Sequence, residues 1–158
     1  MRLLIAATGL GLCLAVVLMA TLSPTPIDQG YESAIERVLS VLHRNGVPGW
    51  FGYRWFEFSA NVLIFVPVGF FLALVFPTRF LWLSVPVIPA LSGSLELAQY
   101  FVLPARFATV NDVIANSLGG WFGVAGAAIV VVAVHVRDRR IIRAWREQNV
   151  IGARGPVA

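Results

Sequence analysis

The apolar positions of this chain are gathered into four long runs rather than spaced at intervals. A helix needs about 20 mostly apolar residues to cross the hydrocarbon core of a membrane, and each run is near that length. The four runs cover residues 3–22, 58–76, 80–103 and 113–134, and Glu96 is the one charged residue within them. The pattern therefore predicts an all-α integral membrane bundle of four transmembrane helices.

The segment between the first two runs has a different pattern. Apolar residues recur there at helical spacing, and Asn45-Gly46 marks a stop. These apolar positions are Ile27, Tyr31, Ile35, Val38, Leu39 and Leu42. We expect an external amphipathic helix that lies on the membrane surface or caps the bundle. An aromatic belt at residues 50–56 then leads into the second span.

Composition agrees with a membrane protein and excludes several classes of site. Of 158 residues, 58% are hydrophobic and 13% are charged, and the mean hydropathy is +0.80. These values are not typical of a soluble globular protein. His43 and His135 are far apart and Cys13 is the single cysteine, so we expect no metal or cofactor site. The arginines are distributed as the positive-inside rule expects of a membrane protein, so we expect no nucleic-acid partner.

Positive charge orients the chain across the membrane. The tail after residue 136 holds six arginines against two acidic residues, which predicts that it is cytoplasmic. Four crossings place the N-terminus on the same side. We therefore divide the chain into a transmembrane domain, residues 1–136, and a basic cytoplasmic tail, residues 137–158. Within the tail, Ile141, Ile142 and Trp145 predict a further interfacial helix.

Six polar or charged residues are predicted to meet near the outer ends of the spans. In this orientation the second and fourth spans run inward and the third runs outward. The six residues are Asn61, Glu96, Gln99, Arg106, Asp112 and Asn116. Ser92, Glu96, Gln99 and Tyr100 are expected on one face of the third span. An ionisable side chain at the bilayer centre costs roughly 2.5–3.5 kcal/mol on insertion scales, so such residues usually mark function.

Glu96 and Arg106 are the strongest candidates for a working pair. Asp112 and Asn116 would orient or cap, and Gln99 would be a hydrogen-bonding neighbour. Structural alternatives stay open for each of them. Asn111 or Asp112 would cap the fourth helix, Asn61 and Asn116 would only link helices, and Glu96 would only pair with Arg106.

Prolines and small residues indicate how the spans pack. Each proline inside a span frees a helix carbonyl, which needs another partner in lipid, and Ser92 or Ser94 is a candidate donor. The prolines are Pro67, Pro86 and Pro89. Gly119, Gly123 and Ala127 form a stripe of small residues that admits close packing of another helix. Through Gly119 and Gly123 the stripe would support a homo-oligomer.

Four motifs between the apolar runs resemble the VanZ-like family, small bacterial membrane proteins named for a component linked to teicoplanin resistance. The motifs are N-V-L-I-F-V-P-V-G-F-F (61–71), E-L-A-Q (96–99), R-F-A-T-V-N-D (106–112) and N-S-L-G-G-W-F-G (116–123). Family motif residues fall on Asn61, Pro67, Gly69, Glu96, Gln99, Arg106, Asp112, Asn116 and Gly119. Thr109 departs from the Asp or Ser expected there, which would weaken or shift any pairing with Arg106. The resemblance implies a bacterial cytoplasmic membrane and a setting in the cell envelope.

Three functions are compatible with these features. The first is an envelope protein whose outer polar cluster binds a lipid headgroup, a wall precursor or a membrane partner and affects resistance to glycopeptide-type antibiotics. The second is an intramembrane enzyme acting on lipid-linked substrates, although no nucleophile or metal constellation accompanies the acids. The third is a small oligomeric transporter, for which a polar cluster at one depth is unusual.

Overall fold

The structure, a computed structural model, describes residues 2–22, 32–102 and 109–153. In these ranges the chain forms helices only, and four of them are long and apolar enough to cross a membrane. The helices are α1 (Arg2–Leu22), α2 (Glu32–Arg44), α3 (Tyr53–Val75), α4 (Ser84–Val102) and α5 (Val110–Ala153), with a 3-10 helix (Thr78–Leu83) before α4. The predicted four-span helical membrane bundle is confirmed.

The helices α3 and α5 form the centre of the bundle. They share the most extensive interface, while α1 packs mainly on α3 and α4 packs mainly on α5. Two apolar clusters fill these contacts, one around Phe65 and Val68 and the other around Ile88 and Val124. Lipid tails are as apolar as leucine, so close packing and hydrogen bonds, rather than apolar burial, hold such helices together.

Glycines bring the backbones of α3 and α5 into direct contact. A Cβ atom added at Gly119 would collide with the carbonyl of Val62, and one at Gly123 would collide with that of Val66. From the other side, a Cβ at Gly69 would collide with the carbonyl of Gly120. The predicted small-residue stripe is therefore occupied within one chain. Self-association of the chain stays a prediction, but Gly119 and Gly123 are not free to mediate it.

One proline-freed carbonyl has a partner on another helix. Pro89 lies inside α4 and lacks the N–H that would bond the carbonyl of Val85, four residues earlier. The indole Nε1 of Trp121 on α5 donates to this carbonyl at 3.0 Å. The two predicted donors bond elsewhere, because Ser94 donates to Ala90 within its own helix and Ser92 pairs with α5.

Two boundaries differ from the sequence pattern. α3 begins at Tyr53, five residues before the uncharged run, because a helix tolerates Arg54 and Glu57 at an aromatic membrane boundary. α5 extends over 44 residues as far as Ala153. The predicted separate helix in the tail is thus wrong, since Ile141, Ile142 and Trp145 lie on the continuation of α5.

The predicted amphipathic helix between the first two spans is present as α2. Ile27 and Tyr31 lie outside the described residues, whereas Ile35, Leu39 and Leu42 lie on the helix. In the described part of the chain α2 makes at most marginal contact with the spans, so it does not cap the bundle. His43 Nε2 lies 3.0 Å from the carbonyl oxygen of Phe51, so the end of α2 contacts the segment that leads into α3.

Candidate functional site

Three helices bring polar side chains together at one end of the bundle, which we call the polar end. It lies where α4 ends and α5 begins, near the first turns of α3. Asn61 Nδ2 on α3 donates to Asp112 Oδ1 on α5 at 2.8 Å. Glu96 on α4 joins through residue 109, whose backbone N–H lies 3.3 Å from Glu96 Oε2. Asn61, Glu96 and Asp112 are all half-buried, and the structure brings these three predicted residues to the same end of the bundle, Asn61 and Asp112 in direct contact and Glu96 linked through residue 109.

Thr109 connects the acids of the polar end. Its hydroxyl donates to Asp112 Oδ2 at 2.7 Å, and it receives the backbone N–H of Asp112 at 3.2 Å. Thr109 is therefore the N-cap of α5, and the expectation that Asn111 or Asp112 caps this helix is wrong. We call the four residues Asn61, Glu96, Thr109 and Asp112 the polar cluster.

A buried polar pair lies one turn deeper between α4 and α5. Asn116 Nδ2 donates to Ser92 Oγ at 2.9 Å. Ser92 is fully buried and Asn116 is 6% exposed. Asn116 follows Asp112 by four residues and Ser92 precedes Glu96 by four, so this pair lies directly beneath the cluster. Asn116 thus links two helices, one of the structural alternatives that the sequence left open.

Gln99 does not join the polar cluster. Its Nε2 donates to the backbone carbonyl of Thr21 on α1 at 2.8 Å. Tyr100, the other residue expected on the Glu96 face, is 65% exposed at the surface of the bundle. Side chains three residues apart on a helix point in directions that differ by about 60°. This difference is enough for Glu96 to contact the start of α5 while Gln99 contacts α1.

Arg106, the predicted partner of Glu96, lies outside the described residues. The structure therefore leaves the predicted pairing of the two as a prediction. Thr109 is the cluster residue that sequence analysis missed as a contributor and noted only as a departure from the family pattern. The spacing Thr109-x-x-Asp112 before an apolar run is a capping-box pattern and was the available signal.

The cluster offers chiefly hydrogen-bond acceptors. An ionised carboxylate has about four lone-pair sites, and Asp112 uses two of them on Asn61 and Thr109. In the described part of the chain, no three His, Cys, Asp or Glu side chains come close enough to hold a metal ion. The arrangement therefore presents acceptor atoms, which a hydrogen-bond donor is able to contact.

Comparison with known proteins agrees with this architecture. The family model described as VanZ/LLP1 matches residues 9–132, which include all of α3 and α4, most of α1, the part of α5 up to residue 132 and the whole polar cluster. No curated protein and no solved structure matches the chain. The match extends well beyond the motifs between Asn61 and Gly123 and reaches into α1. The chain is a multi-pass membrane protein that belongs to the VanZ/LLP1 family.

Proposed function

We propose that this chain is an envelope protein of the bacterial cytoplasmic membrane that binds the headgroup of an envelope lipid, or of a lipid-linked wall precursor, at its polar cluster. The observation that carries the proposal is the convergence of Asn61, Glu96 and Asp112 from three helices at one end of an apolar bundle. Polar groups in a membrane are expensive and usually functional, and these are gathered at a single depth.

The charge pattern supports an outward-facing cluster. Arg137, Arg139, Arg140 and Arg143 lie on α5 beyond its apolar part, at the opposite end from Asp112. The positive-inside rule assigns this basic end to the cytoplasm and so assigns the polar end to the outer leaflet. Envelope lipids and wall precursors present their headgroups at that depth.

Internal pairing of the cluster is compatible with ligand binding. The hydrogen bonds among Asn61, Thr109 and Asp112 fix the side chains before a ligand arrives, which lowers the entropic cost of binding. Because Asp112 uses about two of its four lone-pair sites on Asn61 and Thr109, a headgroup can add hydrogen bonds to Asp112 without breaking those already made.

Lipid retention by the purified chain tests the proposal. Lipids carried through purification in mild detergent are identified by native mass spectrometry. Asp112→Asn and Glu96→Gln keep the side-chain shape but remove a charge, so we expect each to retain about tenfold less of the lipid, since a hydrogen bond to a charged group is worth about 1.5–3 kcal/mol.

Asp138→Asn is the matched control for this experiment. It removes a carboxylate from the basic end of α5, where Asp138 lies 3.3 Å from Arg137 in an exposed pair. We expect this variant to retain lipid as the wild type does. Equal retention by all four proteins, or no specific lipid in any of them, would refute headgroup binding at the cluster.

We further propose that this binding lowers susceptibility to lipid-anchored glycopeptides. Cells that express Glu96→Ala or Arg106→Ala should be as susceptible as cells without the protein, while membrane expression of the variants stays normal. Unchanged susceptibility of both variants relative to the wild type would count against a role of the cluster in resistance.

A further inference from the structure

The part of α5 that continues beyond the bundle carries a dense group of positive charges. All five arginine side chains between residues 137 and 146 are exposed. They are Arg137, Arg139, Arg140, Arg143 and Arg146. Arg137 forms an ion pair with Asp138 at 3.3 Å, and the other four form none within the described part of the chain. We call residues 137–146 the basic segment.

The four arginines without an ion pair lie along one side of the helix. Successive residues of an α-helix are rotated by about 100°, so side chains three, four or seven residues apart point in similar directions. Arg139 precedes Arg143 by four residues and Arg146 by seven, and Arg140 precedes Arg143 by three. The exposed apolar residues of the segment lie on the other side and are Ile141, Ile142 and Trp145. Like charges gathered on one side create a strongly positive surface, which attracts anions.

The position of the basic segment along α5 places these charges at a membrane surface. Val136 is the last apolar residue before the arginines, and Arg140 follows it after a rise of about 6 Å. The headgroup layer on each side of the hydrocarbon core is about 5–7 Å thick. Side chains on a helix tilt toward its N-terminus, which for this segment means back toward the membrane. Lipid phosphate groups are therefore within reach of the guanidinium groups.

Anionic lipids fit this surface better than other occupants do. A guanidinium presents a planar set of N–H donors that matches a phosphate group, and these arginines have no internal acceptor to release. Two parallel copies of α5 would bring their arginines side by side, and like-charge repulsion disfavours that arrangement. An acidic soluble protein would contact Arg146, which is far from the membrane, more readily than Arg139.

We propose that the basic segment is a binding site for anionic lipids, whose phosphate groups it contacts in the leaflet at the basic end of the bundle. The segment and Asp112 lie at opposite ends of the apolar part of α5. The site is therefore separate from the headgroup site proposed at the polar cluster, and neither depends on the other.

Competition between two lipids tests the inference. The full chain in mild detergent is incubated with equimolar phosphatidylglycerol and phosphatidylcholine of identical acyl chains, and bound lipids are counted by native mass spectrometry. Both lipids have a phosphate, but the choline group of the second neutralises its charge. We expect the wild type to prefer phosphatidylglycerol about tenfold at low ionic strength. The preference should nearly disappear at about 1 M salt, where the screening length is about 3 Å.

Removal of charge from the basic segment should abolish the preference. One arginine near a membrane surface contributes about fivefold to the affinity for anionic lipid. The triple variant Arg139→Gln, Arg140→Gln and Arg143→Gln should therefore bind the two lipids about equally. Replacement of the same three residues by lysine keeps the charge and should keep most of the preference.

The matched control removes the same amount of charge from another part of the chain. Arg37, Arg44 and Arg54 are exposed arginines of α2 and the start of α3. The triple glutamine variant of these three should prefer phosphatidylglycerol as the wild type does. An equal loss in both triple variants would show that net charge alone sets the preference and would overturn the inference.

Single variants test whether the lipid is bound at the membrane surface. Arg139→Gln should weaken the preference more than Arg146→Gln, because Arg146 lies about 10 Å farther along the helix. The reverse order, or a wild type without any preference, would overturn the inference. Glu96→Gln and Asp112→Asn should leave the preference unchanged, and a preference lost in these two would assign it to the polar cluster instead. Lipid retention at the cluster tests the proposed function alone.

Discussion

α5 makes two different kinds of contact along its length. In its middle, Gly119 and Gly123 let the helix touch the backbone of α3, and there is no room for a methyl group. At the polar end, Asp112 and Asn116 reach α3 and α4 through side-chain hydrogen bonds. Backbone contact fixes the relative position of the helices, whereas the hydrogen bonds of Asp112 occupy only part of its acceptor capacity. The middle of α5 therefore serves stability, and the polar end is where we propose that a headgroup binds.

Adding a methyl group in the middle of α5 should have the largest effect. In Gly123→Ala the new Cβ would collide with the carbonyl of Val66 and lie 2.6 Å from the backbone nitrogen of Phe70. Neither atom can move without displacing α3, so we expect a loss of more than about 3 kcal/mol in unfolding free energy. Thermal unfolding in detergent, followed by tryptophan fluorescence, measures it.

Gly93→Ala is the control for that experiment. A Cβ at Gly93 meets nothing within 4 Å, and alanine favours a helix interior by about 0.5–1 kcal/mol over glycine. We expect this variant to be slightly more stable than the wild type. Equal stability of the two alanine variants would show that backbone contact does not fix the α3–α5 interface.

The hydrogen bond from Trp121 should contribute more to stability than the side-chain bonds of the polar end, because Pro89 leaves the Val85 carbonyl without its usual helical donor. Trp121→Phe removes the donor to the Val85 carbonyl that Pro89 leaves unpaired, and we expect a loss of about 1–2 kcal/mol. In a Pro89→Ala background the N–H of residue 89 replaces the indole, so Trp121→Phe should cost less. The difference between the backgrounds separates the hydrogen bond from the lost ring volume. The same cost in both would contradict this account.

The smallest effect on stability is expected at the polar end. Hydrogen bonds between side chains of membrane helices average about 0.6 kcal/mol in double-mutant cycles. We expect the coupling between Asn61→Ala and Asp112→Ala to be near that value in the same unfolding assay. A coupling above that of the Trp121 cycle would make the cluster a structural element and remove the contrast between the two regions of α5.

Sequence reasoning identified the polar residues better than their partners. Asn61, Glu96 and Asp112 were predicted to meet because span direction and depth follow from counting residues along helices. Gln99 was placed in the same group, but it bonds the Thr21 carbonyl on α1. The neighbour that each helix face contacts depends on how the helices are arranged around one another. The order of residues along the chain does not specify that arrangement.

The role of Thr109 shows another limit of sequence reasoning. Its capping pattern is local and readable, yet its backbone contact with Glu96 depends on the end of α4 lying beside the start of α5. The glycine stripe is similar. Its small residues predict a close helix contact, but only packing decided that the partner is α3 of the same chain.

The sequence by itself determined the membrane class, the four spans and the position of the polar residues along each span. These follow from the length of apolar runs and the rise of a helix, which are local properties. The tertiary structure decided the rotation of each helix and its neighbours. It therefore decided that Thr109 joins the acids, that Gln99 faces α1 and that Asn116 Oδ1 has no hydrogen-bond partner within the described part of the chain. Rotation is set by close packing between helices distant in sequence, because lipid gives no preference among apolar faces.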